Sequence, residues 1–204
     1  MQLEVNKYLL SYTAASLRVH DSINVIKAFL ENNIEQVDVV IGNGKIATGR
    51  RIRIEIERRI NNLTQRQLDF ILEASIDDAR RVLFLAICKT YSFIHEFVVE
   101  VLREKIFRFD YEITEGDYYS FYNRKTTLHP ELEALSESSQ YKIKQVLFKI
   151  LEEAKIIDST TKKNIQYPFL TAELTQLIAE DNPEYLKIFF VNDNDIKREH
   201  ERIN

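Results

Sequence analysis

The chain has 204 residues, 28 basic and 32 acidic side chains and a net charge of -4, with 45% hydrophobic and 29% charged residues. That is ordinary for a globular protein with one good core, or two small ones sharing an interface. Four glycines and three prolines argue against a loop-rich β fold and for helices, and a single cysteine excludes an internal disulfide.

In chain order, Met1 to Leu10 has no basic lead into an apolar core, so no secretion signal is expected. A helical signal begins near Thr13 and resumes after Asp21 or Ser22, with Ile23, Ile26 and Leu30 on one face. Gly42 and Gly44 punctuate the chain, and a helix is predicted over Thr48 to Asn61. Its core stripe is Ile52, Ile56, Ile60 and Leu63, while Arg50, Arg51, Arg58 and Arg59 are read as spreading over the other half. Thr64 and Gln67 form a capping-box pair that opens the next helix. Asp77 and Asp78 precede the longest apolar run, Val82 to Cys88, at the end of a helix where the dipole favours acids.

That run is far shorter than the roughly 20 residues a bilayer requires, so no membrane partner and a cytoplasmic location are expected. A buried, structural Cys88 fits the same run. Ser92 to Phe107 again keeps helical spacing through Ile94, Phe97, Val98, Val101 and Leu102. Thr114 with Asp117, His129 before Pro130, and Asn182 before Pro183 read as further helix starts.

The next helix carries Ile143, Val146, Leu147, Ile150 and Leu151 inward, with Ser138 or Ser139 as its cap. Tyr141, Lys142, Gln145 and Lys149 gather on its outer face, which suits a phosphate-lined groove. Behind it, Ala154 to Asp158 and Ile165 to Leu170 read as two strands around a polar tip holding Lys162 and Lys163. The fold expected is mainly α, a compact multi-helix protein with a C-terminal winged-helix-like unit of helix plus β-hairpin. Its parts would be a helical body (1–110), a second helical and winged part (111–170), and an acidic helical tail packed on the rest (171–204).

Charge is segregated along the chain. From Thr48 to Arg66, Arg50, Arg51, Arg53, Arg58, Arg59 and Arg66 face only Glu55 and Glu57, a local charge of +4. From Ser138 to Lys163 six lysines face three acids, giving +3, and from Thr171 onward eight acids face four bases, giving -4. The two basic segments could grip phosphates, be simply solvated, or dock an acidic protein.

Catalytic signatures are thin. Gly42-Asn43-Gly44-Lys45 lacks the spacing and the Ser or Thr of a phosphate loop, and Val99 stands where a zinc-protease helix starting at His95-Glu96 needs its second histidine. His20, His129 and His200 share no ligand spacing with Cys88. No cofactor, metal or enzymatic activity is expected.

Several segments stand in a distinctive order: Tyr12-Thr13-Ala14-Ala15-Ser16-Leu17, the arginine-rich helix, Cys88-Lys89-Thr90-Tyr91, Glu96-Phe97 and Glu100-Val101-Leu102-Arg103. Together with the three that follow, they resemble the BrxA family, the small component of bacterial BREX phage-defence systems. His129-Pro130-Glu131-Leu132, Lys142-Ile143-Lys144-Gln145-Val146-Leu147 and Leu151-Glu152-Glu153-Ala154 complete a match from about Tyr12 to Ile157. Lys155 and Ala15 stand where the family pattern has glycine.

The resemblance implies a small, mainly helical, non-enzymatic protein with some likeness to the antitermination factor NusB and an affinity for double-stranded DNA. It also implies work beside a methyltransferase, a phosphatase-like protein, a large ATPase and a Lon-like protein. On this reading Arg50, Arg51, Arg58 and Arg59 supply one DNA-contacting surface and Lys142, Gln145, Lys149, Lys162 and Lys163 another, without sequence preference. The alternative is a protein-protein adaptor, supported by the acidic tail and by the Phe189-Phe190 pair read as surface anchors, although such a pair is more often core. RNA binding by analogy with NusB is a third reading.

Overall fold

The computed structural model describes residues 6–31 and 34–203, so the residues read above for a secretion signal lie partly outside it. A 3₁₀ turn at Ser11–Ala14 runs on to Arg18 as an irregular strap, followed by α1 (Val19–Leu30), α2 (Ile34–Ile41), α3 (Ile46–Ile60), α4 (Gln65–Glu73) and α5 (Ile76–Thr90). Next come α6 (Ser92–Phe97), a π-helical segment at Val98–Arg103, α7 (Glu104–Phe107), α8 (Glu115–Thr126), α9 (Pro130–Glu133) and α10 (Glu137–Glu153). The chain ends with α11 (Ala172–Asp181), a 3₁₀ segment at Pro183–Phe189, and α12 (Asp193–Ile203).

The fold is built around α5. Every side chain from Val82 to Cys88 is buried, and the core formed around them is continuous from Tyr8 to Ile196. Ser75 caps the helix, its Oγ accepting the Asp78 N–H at 3.2 Å, and the Thr64–Gln67 capping box opens α4. A second box, Thr114 with Asp117, opens α8, and Pro130 occupies the first turn of α9. Among the described residues no single helix is long and apolar enough to cross a membrane.

The continuous helix expected over Ser92 to Phe107 is interrupted by the π segment. There Arg103 is buried, donating to the Val191 carbonyl at 2.9 Å and to Asp193 at 2.8 Å, which ties the C-terminal part of the chain to the core. Phe189 and Phe190 are likewise buried, Phe189 meeting Phe84 edge to face. They are core, not surface anchors. The cap of α10 is Ser136 rather than Ser138 or Ser139, since its Oγ accepts the Ser139 N–H.

The expected β-hairpin is absent, and with it the winged-helix unit. Among the described residues there are no strands, and the segment makes only two isolated bridges, Glu112 with Asn164 and Ile157 with Ile165. The reason is local competition for the backbone. Asp158 accepts the N–H groups of Ser159 at 2.6 Å and Asn164 at 2.9 Å, and Ser159 Oγ accepts that of Lys162 at 3.0 Å. The tip is thereby wound into a side-chain-closed turn, and beside it the arms share one bridge, with Asp158 N–H on the Asn164 carbonyl at 2.9 Å and Gln166 N–H on that of Ile156 at 2.8 Å, which does not extend into a ladder.

The chain enters this turn through Lys155 at φ +57°, where Ile156 N–H returns to the Leu151 carbonyl at 2.9 Å. This is the left-handed helix end that glycine serves at least cost, and here Lys155 adopts it.

The strap is held from both sides. On one, Arg59, only 3% exposed, donates to the carbonyls of Ala15 and Ser16, both at 2.6 Å, and to the Tyr91 hydroxyl at 3.3 Å. Buried Glu55 lies 3.7 Å from its guanidinium and accepts from Tyr91 and, at 3.2 Å, from Ser11. Burial pulls Arg59 down to about 10 while Glu55 works the other way, so the arginine stays charged at neutral pH.

On the other side, Tyr12 donates to the Ile143 carbonyl at 3.4 Å, and Glu153 accepts Ser16 Oγ–H at 2.9 Å and Arg18 N–H at 3.0 Å. Arg59→Ala is expected to cost roughly 3 kcal/mol or more, because it strands buried Glu55 and the carbonyls of buried Ala15 and half-buried Ser16. Arg58→Ala, at an exposed position, should stay within about 0.5 kcal/mol of the parent. Denaturant unfolding of the two variants decides the matter, and equal losses would contradict the role given to Arg59.

Candidate nucleic-acid interface

Because the strap lies between α3 and α10, it brings the two basic segments of the sequence to adjoining surfaces. A cleft of about 640 Å³ is lined by Thr13 to Ser16 and Arg18 of the strap, the outer face of α10, Glu115 at the start of α8, and Thr160 and Lys163 of the polar turn. Its cations are Arg18, Lys142, Lys144, Lys149 and Lys163, and its carboxylate is Glu115. On the far side of the strap, Thr13 and Ala14 also line a hollow of about 400 Å³ with Arg50, Arg51 and Arg58.

Within the cleft, Lys142 is exposed and donates to Gln145 Oε1 at 3.1 Å. Lys149 is half exposed and pairs with Glu152 at 2.6 Å, a hydrogen bond that raises its pKa. Lys163 folds back from the turn: its Nζ reaches Glu115 at 2.6 Å and sits 5.1 Å from the centre of the Phe148 ring. Lys144 converges on the same carboxylate.

The hydrogen bonds from Lys144 and then Lys163 hold Glu115 below the usual carboxylate range. For Lys144 burial opposes the charge, but bonds to Glu115 and Tyr119 outweigh it and its pKa is raised. Lys162 is exposed beside the turn and does not line the cleft.

Of the arginines, Arg51 and Arg58 are exposed, Arg58 donating to Ser11 Oγ at 2.7 Å. Arg50 is also open, its nearest carboxylate contact being Asp38 at 3.8 Å. Arg53 is spent on Asp38 at 2.7 Å and Glu57 at 2.6 Å, fastening α2 to α3. Arg59, expected among the phosphate contacts, is withdrawn from the surface into the strap. The structure therefore brings Arg50, Arg51 and Arg58 together on one side of the strap and Lys142, Gln145, Lys149 and Lys163 on the other.

Arg18, Lys144 and Glu115 were not anticipated at this surface. Arg18 sits at φ +48°, pairing with Asp21 at 2.5 Å and donating to the Ile41 carbonyl at 3.3 Å. Lys144 stands off the outer face of α10, toward α8, and its pairing with Glu115 depends on a packing that spacing does not reveal. Among the described residues no group of His, Cys, Asp or Glu is arranged to hold a metal ion. Burial pushes the Cys88 thiol up, as for an inert core thiol.

Residues 6–182 match the family model described as BrxA. The chain is 29% identical over 133 residues to the BREX protein BrxA of Escherichia coli O9:H4 (strain HS), a match covering 65% of this chain and 62% of that protein's length. It is 24% identical over 150 residues to the BREX protein BrxA of Bacillus cereus (strain H3081.97), covering 73% and 72%. Among solved structures, an uncharacterized protein from Magnetospirillum magneticum aligns with a TM-score of 0.76 at 16% identity, over 91% of this chain and 98% of that one. That last likeness speaks for the fold alone. With the family match running through the strap, both basic helices and the turn, the chain belongs to the BrxA family.

Proposed function

We propose that the chain is a non-enzymatic accessory component of a BREX phage-defence system that binds double-stranded DNA, mainly through its phosphates. The observation that carries this reading is the position of the strap, which leaves exposed arginines of α3 and lysines of α10 on neighbouring surfaces despite the net negative charge of the chain. Arginine forks and lysine ammonium groups suit phosphate oxygens, and nothing fixes the register of Gln145 or of these cations against base edges. Binding is therefore governed by counterion release and is largely indifferent to sequence. Other BREX proteins, among them a methyltransferase, a phosphatase-like protein, a large ATPase and a Lon-like protein, are its proposed partners. A pure adaptor role loses one of its supports, since Phe189 and Phe190 are core residues.

Fluorescence anisotropy with a labelled duplex across a salt series tests the reading. Affinity should fall steeply with salt, and Arg51→Ala with Arg58→Ala together should lower the slope of log K against log salt by about two. An unchanged slope in the double variant would remove α3 from the interface, and no binding at low salt would reject the reading altogether. Glu115→Gln should act in the opposite sense, releasing Lys144 and Lys163, tightening binding at low salt and steepening the slope by up to about two. If that variant binds no more tightly than the parent, these lysines are not phosphate contacts.

A further inference from the structure

Phosphate contact leaves Tyr141 without a role, although it stands on the outer face of α10 beside the lysines and is 66% exposed. On α8, Tyr119 is 50% exposed, and both tyrosines line a cavity of about 190 Å³ that also includes Tyr118, Tyr122 and Lys144. Large aromatic side chains left this open, with others beneath them, form a stacking surface, although Tyr119 also meets Tyr118 edge to face and accepts from Lys144 at 3.3 Å.

Lys144 Nζ lies 4.6 Å from the Tyr119 ring centre and 5.5 Å from that of Tyr118. Tyr118 is 2% exposed, yet its hydroxyl has no hydrogen-bond partner, whereas the hydroxyl of Tyr122 is taken by the Leu132 carbonyl at 2.8 Å. A buried hydroxyl without a partner is uncommon and marks a place where a polar group is missing. Tyr141 and Lys144 line this slot and the basic cleft alike, so the two are contiguous.

The slot is smaller than the roughly 300 Å³ at which pockets for drug-sized ligands begin, so its natural occupant is a single ring system. Aromatic walls beside a cationic groove are the combination that holds unstacked bases, since every base offers a π-face while its phosphate stays in the groove. Taking a base out of an intact duplex has a cost that is smallest when the base is already unpaired. We propose that the slot receives one unstacked base of the bound DNA, so that this chain prefers a duplex carrying an unpaired nucleotide over a perfectly paired one. The proposal rests on the duplex-DNA reading above.

The test is a pair of titrations with the same duplex, once fully paired and once with a single extrahelical 2-aminopurine. The bulged duplex should bind about tenfold more tightly, with quenching of the 2-aminopurine emission as it stacks. Tyr119→Ala and Tyr141→Ala together, at exposed positions that do not threaten the fold, should bring the ratio of the two affinities to about one and abolish the quenching. Equal binding of the two duplexes by the parent, or a preference that survives in the double variant, would overturn the proposal. Failure to bind either duplex is a different result, which would refute the duplex reading beneath it.

Discussion

The buried guanidinium of Arg59 sets the geometry on which the rest of the surface depends. It holds two consecutive main-chain carbonyls of the strap while Glu55 and Tyr91 complete its surroundings, so a charge that would be expensive to bury alone is matched by hydrogen bonds within the core. The strap in turn is fastened to α10 through Tyr12, Ser16 and Arg18. Two basic segments far apart in the sequence are thus presented side by side, one on each flank of a short irregular stretch.

Much of this was legible from periodicity and capping. The apolar stripe of α10, the buried run of α5 and the capping boxes at Thr64 and Thr114 are consequences of helical geometry, which a local pattern records faithfully. Arg59 shows where such reading fails. It lies seven residues beyond Ile52 and one turn before Leu63, in register with the core stripe, and only the habit of equating charge with exposure places it outside. Its neighbour Arg58, one step around the helix, is the exposed residue.

The segment after α10 was misread for a related reason. Two short apolar-rich runs around a polar tip are compatible with strands, but such a pattern says nothing about whether a partner ladder forms. Here Asp158 and Ser159 satisfy the nearby N–H groups themselves, and Lys155 in left-handed geometry turns the chain sharply out of the helix. The Glu115 link to Lys144 and Lys163 was equally invisible, because it joins residues from three parts of the chain whose proximity is a tertiary fact.

On the proposed DNA reading, the arginines of α3 and the lysines of α10, on the two flanks of the strap, meet one duplex together and do not act as independent basic patches. Since the sole cysteine, Cys88, is buried, a photo-crosslinker can be placed selectively on Arg51→Cys or on Lys149→Cys. With a short end-labelled duplex at low salt, the account predicts that both positions crosslink to the same DNA molecule and that unlabelled duplex competes both away at one concentration. Crosslinking from only one of the two, or competition at clearly different concentrations, would contradict it.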